Sequence, residues 1–472
     1  MKKIVLLLLI LIVGIKIKAD NGPRPVQIDE IFYRLNSDKT ATVVSDDSLD
    51  YNLAIVVIPN TVTYDDTKYT VTEIGDYAFY NNSSLLSVKI PNSVTNIGGK
   101  AFYGCTNLKN ITIPNCVTYI GASAFEDTEW FDNQQDGIVY AGHVAYSYKG
   151  TMPSDTEIIL KKGTIGIAGS FCENRSNLIS VDIPNSVTVI GSDAFYKCSG
   201  LLSVDIPNSV TTIGSNVFYG CSGLLSVNIS NNVKTIMAGT FNGCVNLKNI
   251  TIPNGVMTIE SNAFNGCTNL KNITIPNSVT YIGASAFEDT EWFDNQQDGV
   301  IYAGLVAYRY KGTMATNTNI ILKEGTISVS PDFCNGRPLK YVYIPEGVKT
   351  IGSFAFSLCD DLTCISIPES VCRLEENWAR NSGIKDLFIY SKKPPFVSYY
   401  GDISGKLKGM KACVLHVPVE SEFLYKEDNS WNNSFKLIET FSTSHRIKED
   451  ISEDGVVDTQ DILQIYDYMR TR

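Results

Sequence analysis

The sequence predicts a repeat solenoid, mostly β, in which one short unit stacks on copies of itself. Three observations predict it. The phrase IPNSVTNIGGKAFYGCTNL begins at Ile90 and returns as close copies from Ile113, Ile183, Ile206, Ile252, Ile275 and Ile344, with successive Ile-Pro pairs 23 residues apart wherever nothing intervenes. A fixed period of this size marks units that bury an apolar face only against their neighbours. Within each unit, apolar and polar residues alternate as in a strand with one buried side. Finally, Cys105, Cys198, Cys221, Cys244, Cys267 and Cys359 each lie fifteen residues after a repeat isoleucine, so they stack in one internal column.

In chain order, the first 19 residues read as a secretory signal peptide. Lys2 and Lys3 precede an apolar run from Ile4 to Ile15, and Ala19 comes just before the first acid. The run is short for a membrane span. No other segment resembles a transmembrane helix, so the expected product is secreted or held at the cell surface. Removing four lysines and no acids takes the formal charge from −11 to about −15. Nucleic acid and anionic membrane both need a dense basic surface, and are excluded as partners on that ground. Residues 20–57, with EIFYRLNSDKTATVV, read as an N-terminal β cap.

The repeats span residues 58–383, and Leu108 to Phe125 shows one coil, LKNITIPNCVTYIGASAF. Leu108, Ile111 and Ile113 point inward from a short strand while Asn110 and Thr112 face out. Pro114 lacks an N–H and ends the ladder. Val117 and Ile120 form a second extended piece. Gly121 permits a tight corner, with positive φ if the corner requires it. Ala124 and Phe125 begin about one helical turn whose Phe fills the core. Roughly a dozen coils are expected at about 4.8 Å each. Cysteines stacked in register point their Cβ atoms in parallel, which suits disulfides poorly, so the column reads as buried free thiols. Cys364, Cys372 and Cys413 fall outside the column.

Residues 126–152 and 288–314 interrupt the period as near-copies displaced by 162 residues, each read as a hairpin insertion with a turn at Asp136-Gly137 or Asp298-Gly299. Trp130 and Trp292 at their starts are either aromatic platforms for a sugar ring or protein partner, or plugs in the side of the rod. Residues 384–440, with FIYSKKPPF and VLHVPVESEFLYKEDNSW, read as the C-terminal cap.

These residues carry a resemblance. The coil, roughly LxxIxIPxSVTxIGxxAFxxCxxL, is similar to the leucine-rich repeats of the BspA-like (Treponema pallidum-type) family over most of residues 56–375, with Ser230 standing where proline is expected. The family is largely secreted or on the surface of host-associated microbes. The resemblance implies adhesion or interaction without carrying over a ligand, and a host extracellular protein or glycan is the leading expected partner.

The outward columns of the main sheet are the other candidate surface. One runs Ser87, Asn110, Ser180, Ser203, Ser226, Asn249, Asn272, Tyr341; the next runs Lys89, Thr112, Asp182, Asp205, Asn228, Thr251, Thr274, Tyr343. Small hydrogen-bonding side chains in rows suit a long polar partner, and they equally suit a solvated sheet face. Right-handed β-helix lyases and hydrolases share the period. Asp182 and Asp205 are the neighbouring acids that such chemistry would use, but the flanking coils offer only Ser, Thr and Asn beside them. His143 is replaced by Leu305 in the duplicate. The expectation is a non-enzymatic rod.

The tail differs in kind. Counting from Asp450, oxygen donors fall at loop positions 1, 3, 5, 9 and 12 as Asp450, Ser452, Asp454, Asp458 and Asp461. Gly455 sits at position 6, and Val456 offers its carbonyl at 7. This is calcium-loop spacing with Asp closing it. Ile462, Leu463, Ile465, Tyr466 and Met469 then make an apolar stripe at helical spacing. The loop and the GVVDTQDILQIYDYM run resemble half of a dockerin, a module that normally carries two such loops. That resemblance implies calcium and a cohesin-like or cell-surface partner, and so an alternative role as an assembly component.

Overall fold

The computed structural model describes residues 24–45, 53–398, 410 and 412–441. The signal segment and the calcium-loop positions Asp450, Ser452, Asp454, Val456, Asp458 and Asp461 lie outside the described residues.

About fifteen short strands stack along one side of a rod, from Ile55–Val57 to Leu437–Phe441. Paired members are parallel, and the register carries each outward residue onto its counterpart one coil later, as in Ser87↔Asn110, Ser203↔Ser226 and Asn249↔Asn272. Strands of two residues, such as Asn96–Ile97, Val189–Ile190 and Thr258–Ile259, build a second parallel sheet. Ile and Val from both sheets meet in the interior, where stacking on the next coil removes them from water. The N-terminal strands Val26–Ile28, Ile31–Leu35 and Thr40–Val44 form an antiparallel meander whose last strand joins Thr67–Ile74 in the second sheet.

There are more coils than the repeat phrase suggests. Asp386–Ile389, Val414–Pro418 and Leu437–Phe441 extend the main sheet through residues that lack the phrase altogether. Their inward Leu387 and Leu415 are fully buried. In the last coil the helices Glu422–Glu427 and Asn429–Asn432 follow Val414–Pro418, with Tyr425 and Trp431 buried beneath them.

The segment around each Phe corrects the sequence expectation. It is a chain of tight turns, not a helical turn. In most coils one residue two positions before the Phe and another two positions after it have positive φ, as with Lys100 and Gly104 around Phe102 and Ser123 and Asp127 around Phe125. Gly121 does not have positive φ; Ser123 takes that conformation instead. Gly121 answers a different need, because a Cβ there would lie 2.3 Å from the Gly99 nitrogen of the preceding coil. The Phe amide does not bond back along its own turn. It donates to the next coil, from Phe79 to Ala101 O at 2.7 Å and from Phe264 to Ala286 O at 2.8 Å. Phe195, Phe218, Phe241, Phe264 and Phe287 consequently stack in near-parallel array with centroids 5.3–5.7 Å apart.

All six column cysteines are buried free thiols, as their spacing predicts. Each donates its S–H to a main-chain carbonyl in the neighbouring coil, for example Cys105 to Phe79 O at 3.0 Å and Cys244 to Phe218 O at 3.2 Å. Burial pushes the Cys105, Cys198 and Cys267 thiols up to about 12. Of the six cysteines outside the column, Cys172, Cys334, Cys364 and Cys413 are buried, Cys116 is half-buried and Cys372 is exposed. Since thiolate is the nucleophile, iodoacetamide at pH 8 is expected to alkylate Cys372 first and the column only after unfolding. Peptide mass spectrometry checks this; early labelling of Cys221 or Cys244 would show that the coils do not seal the column. Ser230 also finds its reason here: its hydroxyl donates to Val210 O at 2.6 Å and accepts from the Asn232 amide at 3.2 Å, tying a turn that proline preorganises elsewhere.

Candidate functional site

The outward face of the main sheet is a groove. Over the strands Thr156–Ile159, Leu178–Asp182, Ser203–Asp205, Ser226–Asn228 and Asn249–Thr251 it encloses about 1130 Å³. Its floor is the pair of columns read from the sequence, with Ser203, Ser226, Asn249, Asp205, Asn228 and Thr251 all exposed. Stacking lets neighbours bond along the rod: Asn272 Nδ2 donates to Asn249 Oδ1 at 2.9 Å and Asn228 Nδ2 to Asp205 Oδ1 at 2.6 Å. The described lining includes Glu157, Asp182 and Asp205 but no lysine or arginine. A smaller groove of about 360 Å³ over Ser87–Lys89 and Asn110–Thr112 has Lys89 and Lys109 instead. Among the described residues, no group of three or more His, Cys, Asp or Glu side chains is placed to hold a metal ion.

The two near-copies separate these regions. From Asn110 to Glu157, and from Asn272 to Asn319, the outward column advances by 47 residues, two coils and one residue. Each insertion therefore takes the place of a whole coil. Where its main strand would start stands a one-turn helix, Glu129–Asp132 or Glu291–Asp294. The Trp130 amide donates to Leu108 O at 2.8 Å, which fixes that helix beside the preceding strand. Thr128 caps it, with Oγ1 accepting from the Phe131 amide at 3.1 Å. Lys149 closes its other end by donating to the carbonyls of Phe131, Asp132 and Gln134.

Trp130 and Trp292 sit half-buried against the core, each edge-to-face on a Phe, Phe125 or Phe287, with centroids 5.0 Å apart. They end the Phe stacks. The hairpins Gly137–Lys149 and Gly299–Lys311 supply the rest: the Phe125 amide, with no next Ala carbonyl to reach, donates to the Tyr146 hydroxyl at 2.9 Å, and Phe287 does the same to Tyr308 at 3.1 Å. Burial raises both phenols above their ordinary range.

Beyond the second insertion the face changes character. Tyr341, Cys364 and Phe388 form a small buried cluster on the outward side, with Ile321, Tyr343, Tyr390 and Phe441 packed against it. His416 stacks on Phe388 at 4.1 Å and its Nε2 lies 3.0 Å from Asp386 Oδ1. Of the residues singled out from sequence, Asn110, Asn249 and Asn272 are exposed on the groove side, Tyr343 is half-buried and Tyr341 is buried. The division of the face into basic, polar-acidic and aromatic regions was not read from sequence. The 47-residue step was the signal that could have shown it.

A sequence profile described as the BspA type leucine rich repeat region matches six copies, over residues 53–134, 166–292 and 309–399. The chain belongs to the BspA-type leucine-rich repeat family. Both gaps in the match fall on the two hairpins, which are departures from the family's coil. Solved structures of other leucine-rich repeat proteins are similar to it. One from Bacteroides ovatus is 22% identical over 88% of this chain and 100% of its own, with a TM-score of 0.29. The Treponema pallidum leucine-rich repeat protein is 26% identical over 52% of this chain and 91% of its own, TM-score 0.23. The pneumococcal vaccine antigen PcpA is 18% identical over 89% and 99%, TM-score 0.30. No curated protein matches the chain. BspA-type and other leucine-rich repeat rods are typically non-catalytic scaffolds that bind proteins. Among the described residues no helix is long and apolar enough to cross a membrane.

Proposed function

We propose that this chain is an exported, non-catalytic adhesion rod whose groove receives an extended polar partner, a segment of a host extracellular protein or a glycan. One observation carries the reading. Four consecutive coils, from Leu178–Asp182 to Asn249–Thr251, present exposed Ser, Asn, Asp and Thr in register along a groove of about 1130 Å³. Rows of donors and acceptors repeating at about 4.8 Å suit a chain of similar repeat laid along them. Asp182 and Asp205 stand in the groove as polar contacts, with Asn228 on Asp205, rather than as a catalytic pair. Secretion or surface display rests on the signal segment. Calcium at Asp450–Asp461 rests on the spacing of the loop.

The test is binding of residues 20–472 to arrays of host matrix proteins and glycans, with calcium and with chelator. Asn249→Arg combined with Ser226→Arg puts two bulky cations on exposed groove positions, where they do not disturb the core. The expected result is at least a tenfold loss of binding, which is about 1.4 kcal/mol, at an unchanged circular dichroism spectrum. Binding that survives this variant but disappears on deletion of residues 445–472 would move the function to the tail, and to attachment on a cohesin-like scaffold.

A further inference from the structure

The C-terminal end of the rod leaves apolar surface uncovered. The 3-10 turn Val419–Ser421 and the helix Glu422–Glu427 turn Tyr425 inward, where its hydroxyl donates to Ser391 O at 2.9 Å and its ring meets Trp431. The same stretch exposes Val419 by 56%, Phe423 by 71% and Leu424 by 42%. The helix packs against the terminal strand Leu437–Phe441, whose own Leu437 is 50% exposed. That strand pairs with Val414–Pro418 on one edge, and among the described residues nothing pairs with the other. A solenoid end of this kind requires a cover, because each coil buries its apolar face only against the next.

The chain leaves this end at Phe441 with 31 residues still to come. They include the apolar stripe Ile462, Leu463, Ile465, Tyr466 and Met469 at helical spacing. Twenty residues separate Phe441 from Ile462, enough to span roughly 65 Å when extended, so reach sets no limit. Tethering presents the stripe to its own rod at an effective concentration in the millimolar range, well above that of any free partner at micromolar levels.

We propose that residues 462–469 dock their apolar stripe on this end of the same chain, over Val419, Phe423 and Leu424 and beside the edge of the last strand. The tail is then the missing cover of the solenoid. This inference does not depend on what the groove binds.

Hydrogen exchange of the chain 20–472 in calcium, read by mass spectrometry, tests it. Ile465→Glu with Tyr466→Glu should speed exchange of residues 422–427 and 437–441 about tenfold or more, leaving the coils between residues 166 and 292 unchanged. Phe423→Ser should reciprocally speed exchange of residues 462–469, and Phe423→Leu should restore protection. Unchanged exchange at 422–427 in the tail variant overturns the proposal. So does a wild-type dimer in sedimentation at micromolar concentration that the tail variant abolishes, since the occupant is then a second copy.

Discussion

Phe264→Ala is expected to cost about 3–5 kcal/mol of stability, the usual range for emptying a buried Phe site. Phe264 is fully buried between Phe241 and Phe287, at 5.3 and 5.5 Å. The site cannot collapse easily, because the backbone at 241 and 264 is held by Phe-to-Ala bonds to the following coils, both at 2.8 Å. In a solenoid each coil touches only its neighbours, so one substitution weakens two interfaces. The variant should therefore unfold in two steps in a guanidinium titration where the wild type unfolds in one. Phe264→Leu, keeping most of the volume, should cost about half as much. A single transition with less than about 1 kcal/mol lost would mean that the Phe stack is not what couples the coils.

The stack also shows where sequence reasoning succeeds and where it stops. Period, alternation and the cysteine column are properties of one coil repeated, so they could be read from the chain. The strand over Asn110–Thr112, the inward Ile113 and the buried Cys105 all stand where that reading put them. What escaped it depends on the neighbouring coil. An Ala-Phe pair after a glycine favours a helical turn locally, yet the Phe102 amide finds its acceptor in Ala124 O of the next coil, and positive φ at Lys100 and Gly104 accompanies that bond. Tyr146 lies in the hairpin that the sequence predicts within residues 126–152. Its hydroxyl accepts the Phe125 amide, which has no next-coil carbonyl to reach, as the Tyr308 hydroxyl accepts that of Phe287. The same holds for the binding face: the exposure of Asn249 and Asn272 was legible from alternation, whereas the burial of Tyr341 comes from Phe388 and Cys364 on later strands.

The stacked thiols predict a second large effect, loss of the fold at alkaline pH. An ordinary thiol titrates near 9.0; burial pushes Cys105, Cys198, Cys267 and Cys413 up to about 12 and Cys359 to about 11. Burial raises Cys172, Cys221, Cys244 and Cys334 as well. Above pH 9 the unfolded chain releases these protons while the folded chain keeps them, so the unfolded state binds fewer and stability falls as pH rises. The contribution is fully present below pH 9 and is lost between 9 and about 12. Each thiol loses on the order of 1 kcal/mol by pH 10, so the nine together lose on the order of 10 kcal/mol, comparable to the whole stability of an ordinary domain. Tyr146, Tyr308 and Tyr425, raised by burial in the same way, steepen the fall above pH 10. Unfolding free energies from guanidinium titrations at pH 8, 9, 9.5 and 10 check the slope. Cys221→Val with Cys244→Val should reduce it by two protons. A stability that stays flat to pH 10.5 would mean that the thiols ionise inside the rod, and that water reaches the column.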